Sequence, residues 1–253
     1  MPETGPDIEA AARAFEKKSL NQAIKGCVAC LDGYLLQKQT PSSEESGNVK
    51  AYFSGHYQTY GINIQAACDH RCRFLDVTVA APGGVNDISA FRKTNLHQMI
   101  DEFPAGKFII GDNAYVCSEH LLTPFAGDDK KIPKKDAYNF YINQLRIKIE
   151  QAFGAMTAKW KILKHPLQMK LRNVGKLFLF ITRLHNFCIN EQDEDCDNFG
   201  TMNPDISSEK GFVPSDVTII SFDDNSILRD IIVEDLALRA LSRPHYNVER
   251  NQK

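Results

Sequence analysis

The sequence predicts an α/β fold, on three observations. Two β-rich runs, 57–68 and 74–81, are joined by the short link Asp69-His70-Arg71-Cys72-Arg73 and read as antiparallel neighbours. A helical pattern and a short apolar strand follow, so strands and helices interleave along the chain. Two long segments, 137–163 and 174–189, then carry apolar residues at helical spacing and can cover a sheet.

Residues 1–25 space Ala and Leu among charges and read as a helical lead-in that Gly26 ends. Cys27 to Leu36 is apolar and small around Asp32-Gly33, as in a strand. Gln37 to Val49 is a polar loop. After the hairpin, Pro82-Gly83-Gly84 breaks the second strand. Asn86 or Asp87 then caps a helix over 88–103, which Pro104-Ala105-Gly106 stops. Lys107 to Ile110 is a short buried strand ending in Gly111-Asp112. A small helix or turn over 118–122 follows, then a basic, loop-like stretch from Pro124 to Lys135. In the longest helix Leu145, Ile149, Phe153 and Met156 recur at i, i+4, i+8 and i+11, one apolar stripe. Glu191 to Asn198 is an acidic run with little capacity to fold. Ser226 to Leu241 is spaced for one amphipathic helix in a polar tail.

With 253 residues, 43% hydrophobic and 25% charged, the chain has the composition of an ordinary soluble globular protein with one sizeable core. No apolar run reaches the roughly 18 residues that span a bilayer. The start MPETGPDIEA lacks the pattern of a secretory signal. Seven cysteines without a framework-like rhythm fit mostly free thiols in a reducing compartment. The net charge of −2 hides a segregation: residues 130–183 hold 13 Lys and Arg against 2 Asp and Glu, and residues 191–253 hold 6 against 14. A basic block beside metal-binding acids suits a polyanionic partner, and solvated helix faces give the same pattern.

Two-metal phosphoryl chemistry needs carboxylates from several segments converging on one point, with oxygen ligands for a hard cation. Asp32 in an apolar strand, Asp112 at the end of FIIGD and Glu150 on the long helix meet that description. Glu150 is one of the two acids in the basic block; Arg146 at i−4 makes a plain helix ion pair the competing reading. Asp87 reads as a helix N-cap or as a nearby metal or water contact. Lys130, Lys131, Lys134 and Lys135 surround Pro133 and read as a DNA-backbone contact, an import-like basic cluster or a solvated loop. Cys27-x₂-Cys30 and Cys68-x₃-Cys72 have zinc-like spacing, but the first pair lies in a buried strand, where Cys behaves as a small hydrophobe. His185 and Trp160 read as packed residues.

A resemblance joins these pieces. LDGYL (31–35), GHYQTYGINIQAACD (55–69), FLDVTVAAPGGVNDISAF (74–91), FIIGDNAY (108–115), LLTPFAG (121–127), RIKIEQAFG (146–154) and RLHNFCI (183–189) stand in one order over residues 27–190. On these the chain resembles the catalytic domain of Harbinger-type transposases, the DDE superfamily endonucleases. The resemblance implies an RNase H-like mixed sheet flanked by helices over 27–190, between the lead-in 1–26 and an acidic, partly disordered tail 191–253 with one helix. It implies Asp32, Asp112 and Glu150 as the catalytic triad and the ligands of two Mg²⁺ or Mn²⁺ ions, with Asp87 and Arg146 as accessories. It implies DNA as substrate, cut or joined at its phosphodiester bonds, and a nuclear location, otherwise cytoplasmic. Lys159 and Lys161 join the loop lysines as expected backbone contacts.

Departures qualify this. The family's His before the acid at the position of Asp87 is Asn86 here, and its Lys seven residues after the catalytic Glu is Thr157. Only 31 residues precede Asp32, too few for a helix-turn-helix reader. A fragment, or a separate DNA-binding partner supplying recognition, is therefore expected; the alternative function is a non-enzymatic, domesticated relative that binds DNA or protein.

Overall fold

Strand β1 (Cys27–Gln37) is the centre of the sheet. The computed structural model describes residues 1–2, 4–192 and 226–244. Strand β2 (Phe53–Ser54) is short, while β3 (Thr59–Cys68) and β4 (Phe74–Pro82) form the expected hairpin, paired from Ile62↔Pro82 to Cys68↔Phe74. β3 lies antiparallel to β1, with Cys30 opposite Cys68 and Gln37 opposite Gly61. β5 (Phe108–Ile110) runs parallel to β1 on its other side, and β6 (Leu121–Leu122) runs parallel to β5. The main order is therefore β4-β3-β1-β5-β6, with β2 on the same edge of β3 as β4. This mixed sheet, antiparallel on one side and parallel on the other, is the RNase H-like architecture.

Helices cover both faces. On one face, helices α1 (Gly5–Lys18), α3 (Asp87–Phe91) and α4 (Asn95–Ile100) bury Ile8, Phe91, Leu96 and Ile100 against Ala29, Leu31 and Ile109. On the other, α5 (Pro133–Lys159), α6 (Leu171–Gln192) and α7 (Ile227–Leu238) cover Cys30, Leu36, Ile64, Ala66 and Ile110; a one-turn α2 (Ser43–Ser46) lies in the loop after β1. Strand alternation decides the division, because successive side chains point to opposite faces. The apolar stripe of α5 holds: Leu145, Ile149, Phe153 and Met156 are all buried.

Four expectations change. The helix over 88–103 is two helices. The Thr94 side chain accepts from His97 N–H and caps α4, while its hydroxyl donates to Phe91 C=O and closes α3. The 118–122 segment is a turn leading into β6, whose two residues are too few to show a period. The lead-in helix stops at Lys18, and Asn21 and Gln22 follow with φ of 56° and 49°. The basic stretch before Lys135 is a 3₁₀ turn over 127–131 running into α5 at Pro133, the first helical position that proline favours.

The expected tail helix exists as α7 and is part of the core. Val233 and Leu236 are buried with α5, the Arg243 guanidinium makes two bonds of 2.7 and 2.8 Å to Asp136, and Lys134 pairs with Glu234 at 2.5 Å. Most of the acidic run at 191–198 lies outside the described residues; Glu191 and Gln192 are the last turn of α6. Among the described residues no helix is long and apolar enough to cross a membrane.

Candidate active site

Register brings the first two acids together. Cys30 pairs with Ile110 in the parallel β1–β5 ladder. Asp32 and Asp112 each lie two residues further on, so Asp32, midway along β1, and Asp112, just past the end of β5, stand on neighbouring strands spaced about 4.8 Å apart. Cys30 and Ile110 face α5, and the period of two gives Asp32 that face as well.

Helix α5 supplies the third. Cys30 Sγ donates to Leu145 C=O at 3.2 Å, and the Tyr34 ring stacks on Phe153 at 4.9 Å. Four strand residues advance roughly 13 Å and eight helical residues roughly 12 Å, so α5 and β1 keep level along this stretch. Ile149 and Glu150, midway between Leu145 and Phe153, thus stand opposite Asp32.

The electrostatics agree. Asp32 is pushed up to about 8, by burial first and then by the negative field of Asp112, with Glu150 adding to it; Arg146 and the Gly33 N–H pull the other way. Asp112 is raised too, by burial first, against the Ala114 N–H and Arg146. Each acid is oriented by a backbone N–H just after it: Gly33 N–H donates to Asp32 Oδ1 at 2.8 Å, and Ala114 N–H donates to Asp112 Oδ1 at 2.9 Å. Glu150 is held elsewhere, 2.6 Å from Arg146 Nη1, so the helix ion pair forms. Among the described residues no three His, Cys, Asp or Glu side chains are gathered closely enough to hold a metal. The three acids share a field without sharing a coordination geometry.

Divalent metal fits this donor set in its chemistry. Two carboxylates whose charges are opposed by burial, and in Asp32 by the field of Asp112 as well, are relieved by a hard cation, which takes oxygen ligands. Asp32 and Asp112 would hold it, and Glu150 would complete the set on release from Arg146.

The model of the family described as DDE superfamily endonuclease matches residues 31–186. The chain belongs to this family. The matched span runs from β1 through most of α6 and contains Asp32, Asp112 and Glu150. Membership places the chain in a transposase-derived nuclease family, as its ordered motifs indicate. The Arabidopsis thaliana protein described as "Protein ALP1-like" is 24% identical over 199 residues, covering 73% of this chain and 47% of the relative. The chain thus spans about half the length of the curated relative it matches. No solved structure matches it.

Other expected residues of this DDE chain find varied settings. Asn86, not Asp87, caps α3, accepting from Ser89 N–H at 2.8 Å. Asp87 instead reaches back to β3, where Asn63 and Gln65 donate to it. Lys131 pairs with Asp128 at 2.7 Å and Lys135 with Asp129 at 2.9 Å, so these lysines, like Lys134, have acidic partners within the chain. Lys159 lies 5.5 Å from the Trp160 ring centre, and Lys130 and Lys161 are exposed. Exposed ion pairs are weak, so a phosphate can displace them. Cys27, Cys30 and Cys68 are free and fully buried, and burial pushes the Cys27 and Cys68 thiols up, away from thiolate zinc chemistry. His185 is a core residue, with Nε2 2.9 Å from Cys72 C=O, and Trp160 packs edge-on to it.

The residues that sequence reasoning missed are Asn63, Gln65, Tyr115 and Tyr57. Asn63 and Gln65 left a signal: two amides at i and i+2 in the otherwise apolar INIQAAC, hence on one face of a buried strand. Partial burial and the fields of Asp32, Asp87 and Asp112 raise Tyr57, a half-exposed ring beside the acids.

Proposed function

We propose that this chain is a divalent-metal-dependent endonuclease that cuts DNA phosphodiester bonds, with strand transfer as the related reaction of a transposase. The observation that carries the reading is the placement of Asp32 and Asp112 on adjoining strands, level with Glu150 on α5. When bound, two Mg²⁺ or Mn²⁺ ions would activate the attacking hydroxyl and stabilise the leaving oxygen. Asp32 and Asp112 would hold those ions through carboxylates that the Gly33 and Ala114 N–H groups orient. Arg146 would compete with the metal for Glu150, and its charge offsets those of the three acids. Lys130, Lys159 and Lys161 would hold the DNA backbone with salt-sensitive, sequence-independent affinity. Sequence recognition falls to another segment or a separate DNA-binding protein, and the site of action is the nucleus.

Incubation with DNA and Mg²⁺ or Mn²⁺ tests this. Cleavage is expected to require the metal and to be lost in Asp112→Ala and Glu150→Ala; cleavage that survives both substitutions sinks the assignment. One observation favours a second reading, a non-enzymatic DNA- or protein-binding module: Glu150 is already satisfied by Arg146. Calorimetry separates the two, because a folded protein that takes up no Mn²⁺ is the module.

A further inference from the structure

The amide cluster around Asp87 is more fully bonded than a helix start requires. Asn63 Nδ2 donates to Asp87 Oδ1 at 3.0 Å and to Val85 C=O at 3.0 Å. Gln65 Nε2 donates to Asp87 Oδ1 at 2.9 Å and to Asn63 Oδ1 at 2.8 Å. Both hydrogens of both amides are therefore used. Gln65 Oε1 accepts the Tyr115 hydroxyl at 2.7 Å. Asn63, Gln65 and Tyr115 are all buried, so each lost partner would leave an orphaned polar group.

The cluster touches both strand-borne acids through their neighbours. Gly33, beside Asp32, pairs with Gln65 across the ladder, and a Cβ at Gly33 would overlap Asp87 Oδ1. The carboxylate of Asp87 thus lies in the space that the missing side chain leaves. On the other side, Tyr115 closes the turn of Asp112: its N–H donates to Asp112 C=O at 3.3 Å, and its ring limits Gly111, where a Cβ would come within 2.9 Å.

We infer that Asp87 is a positioning residue which, as a hydrogen-bond acceptor shared by Asn63 and Gln65, locks the Asp32-Gly33 strand to the Asp112–Tyr115 turn. The inference deepens the proposed metal site and rests on it for its effect on metal, not for its effect on structure. Asp87 serves through acceptor geometry, not as a fourth charged ligand. An asparagine at 87 keeps an acceptor oxygen for both amides; an alanine orphans one hydrogen of each. A glutamate at 65 sets two carboxylates face to face, and pairing it with asparagine at 87 restores one acid against one amide.

The test combines hydrogen–deuterium exchange over residues 110–116 with Mn²⁺ calorimetry on the full chain. Asp87→Ala and Gln65→Glu are expected to accelerate exchange there and to weaken Mn²⁺ binding about 10–100-fold, the scale of partners that orient metal ligands. Asp87→Asn is expected to stay within a few-fold of the parent in both, and the double variant Asp87→Asn/Gln65→Glu to recover what Gln65→Glu lost. Should Asp87→Ala not fold, the glutamate exchange and its rescue decide alone. An Asp87→Asn protein that loses metal while keeping normal exchange would make the charge a ligand and overturn the inference. Unchanged exchange in Gln65→Glu would also overturn it. A parent protein that binds no Mn²⁺ defeats the nuclease reading, and the exchange results still judge the lock.

Discussion

The Arg146 guanidinium stands 2.6 Å from the Glu150 carboxylate and also lowers the proton affinity of Asp32 and Asp112. One cation on α5 therefore offsets three acids from three segments of the chain. Removing it as Arg146→Gln is expected to raise both aspartates further. At pH 6 Asp32 is protonated in either protein, so its contribution there is unchanged. Above pH 8 the parent ionises it at lower cost than the variant. The stability deficit of Arg146→Gln should thus widen from pH 6 to pH 9, by on the order of 1 kcal/mol per pKa unit gained. Urea melts at both pH values check this, and an equal deficit at each contradicts it.

Asp32 also sets the pH dependence of metal binding. Its folded value of about 8 lies above the unfolded value of about 3.9, so the native state holds the extra proton between these limits. Its contribution to stability is full below the lower limit, declines as pH rises through the window and is flat above it. A metal must displace that proton, so Mg²⁺ should raise the melting temperature more at pH 8.5 than at pH 6.5. Asp32→Asn should flatten the apo pH profile and remove the Mg²⁺ effect. A melting shift that ignores pH would contradict both expectations.

Gly33 is expected to tolerate no side chain while Asp87 is in place. Besides overlapping Oδ1, a Cβ there would lie 2.8 Å from Asp87 Cγ. Gly33→Ala should destabilise by about 1–3 kcal/mol, the usual cost of overpacking. In the Asp87→Ala background the same substitution should cost clearly less, because the clashing atoms are gone. A double-mutant cycle by denaturant unfolding measures the difference, and strict additivity argues against the close approach.

Helix α7 should unfold with the core. Leu236 is fully buried in the main cluster, and Arg243 holds Asp136 through two bonds. Leu236→Ala is expected to cost about 2–5 kcal/mol, within a single unfolding transition. A separate early transition, or no loss, would show that α7 is an appendage.

Much of the fold was legible because its signals are local. The hairpin link, the apolar strand around Asp32-Gly33 and the stripe Leu145–Ile149–Phe153–Met156 are short-range patterns, and each corresponds to an element. What failed was also local in origin. Leu121–Leu122 is too short for any period, and Thr94 ends one helix and starts another inside a pattern that reads as continuous. The spacing of α7 marks it as a helix, but its membership of the core comes from Val233 and Leu236 packing with α5, far away in sequence.

By itself the sequence determined which acids lie on which elements: Asp32 in a strand, Asp112 at a strand end, Glu150 on a long helix. Spacing, periodicity and turn chemistry act over a few residues, and a single chain displays them. The tertiary structure alone decided what those acids meet. The β1–β5 register set Asp32 beside Asp112, the course of α5 along β1 brought Glu150 level, and Arg146 took Glu150 as its partner. Asp87 left the helix cap to Asn86 and joined two amides of β3 instead. These are choices among partners distant in sequence, made by burial and hydrogen-bond satisfaction over the whole fold, and no local pattern encodes them.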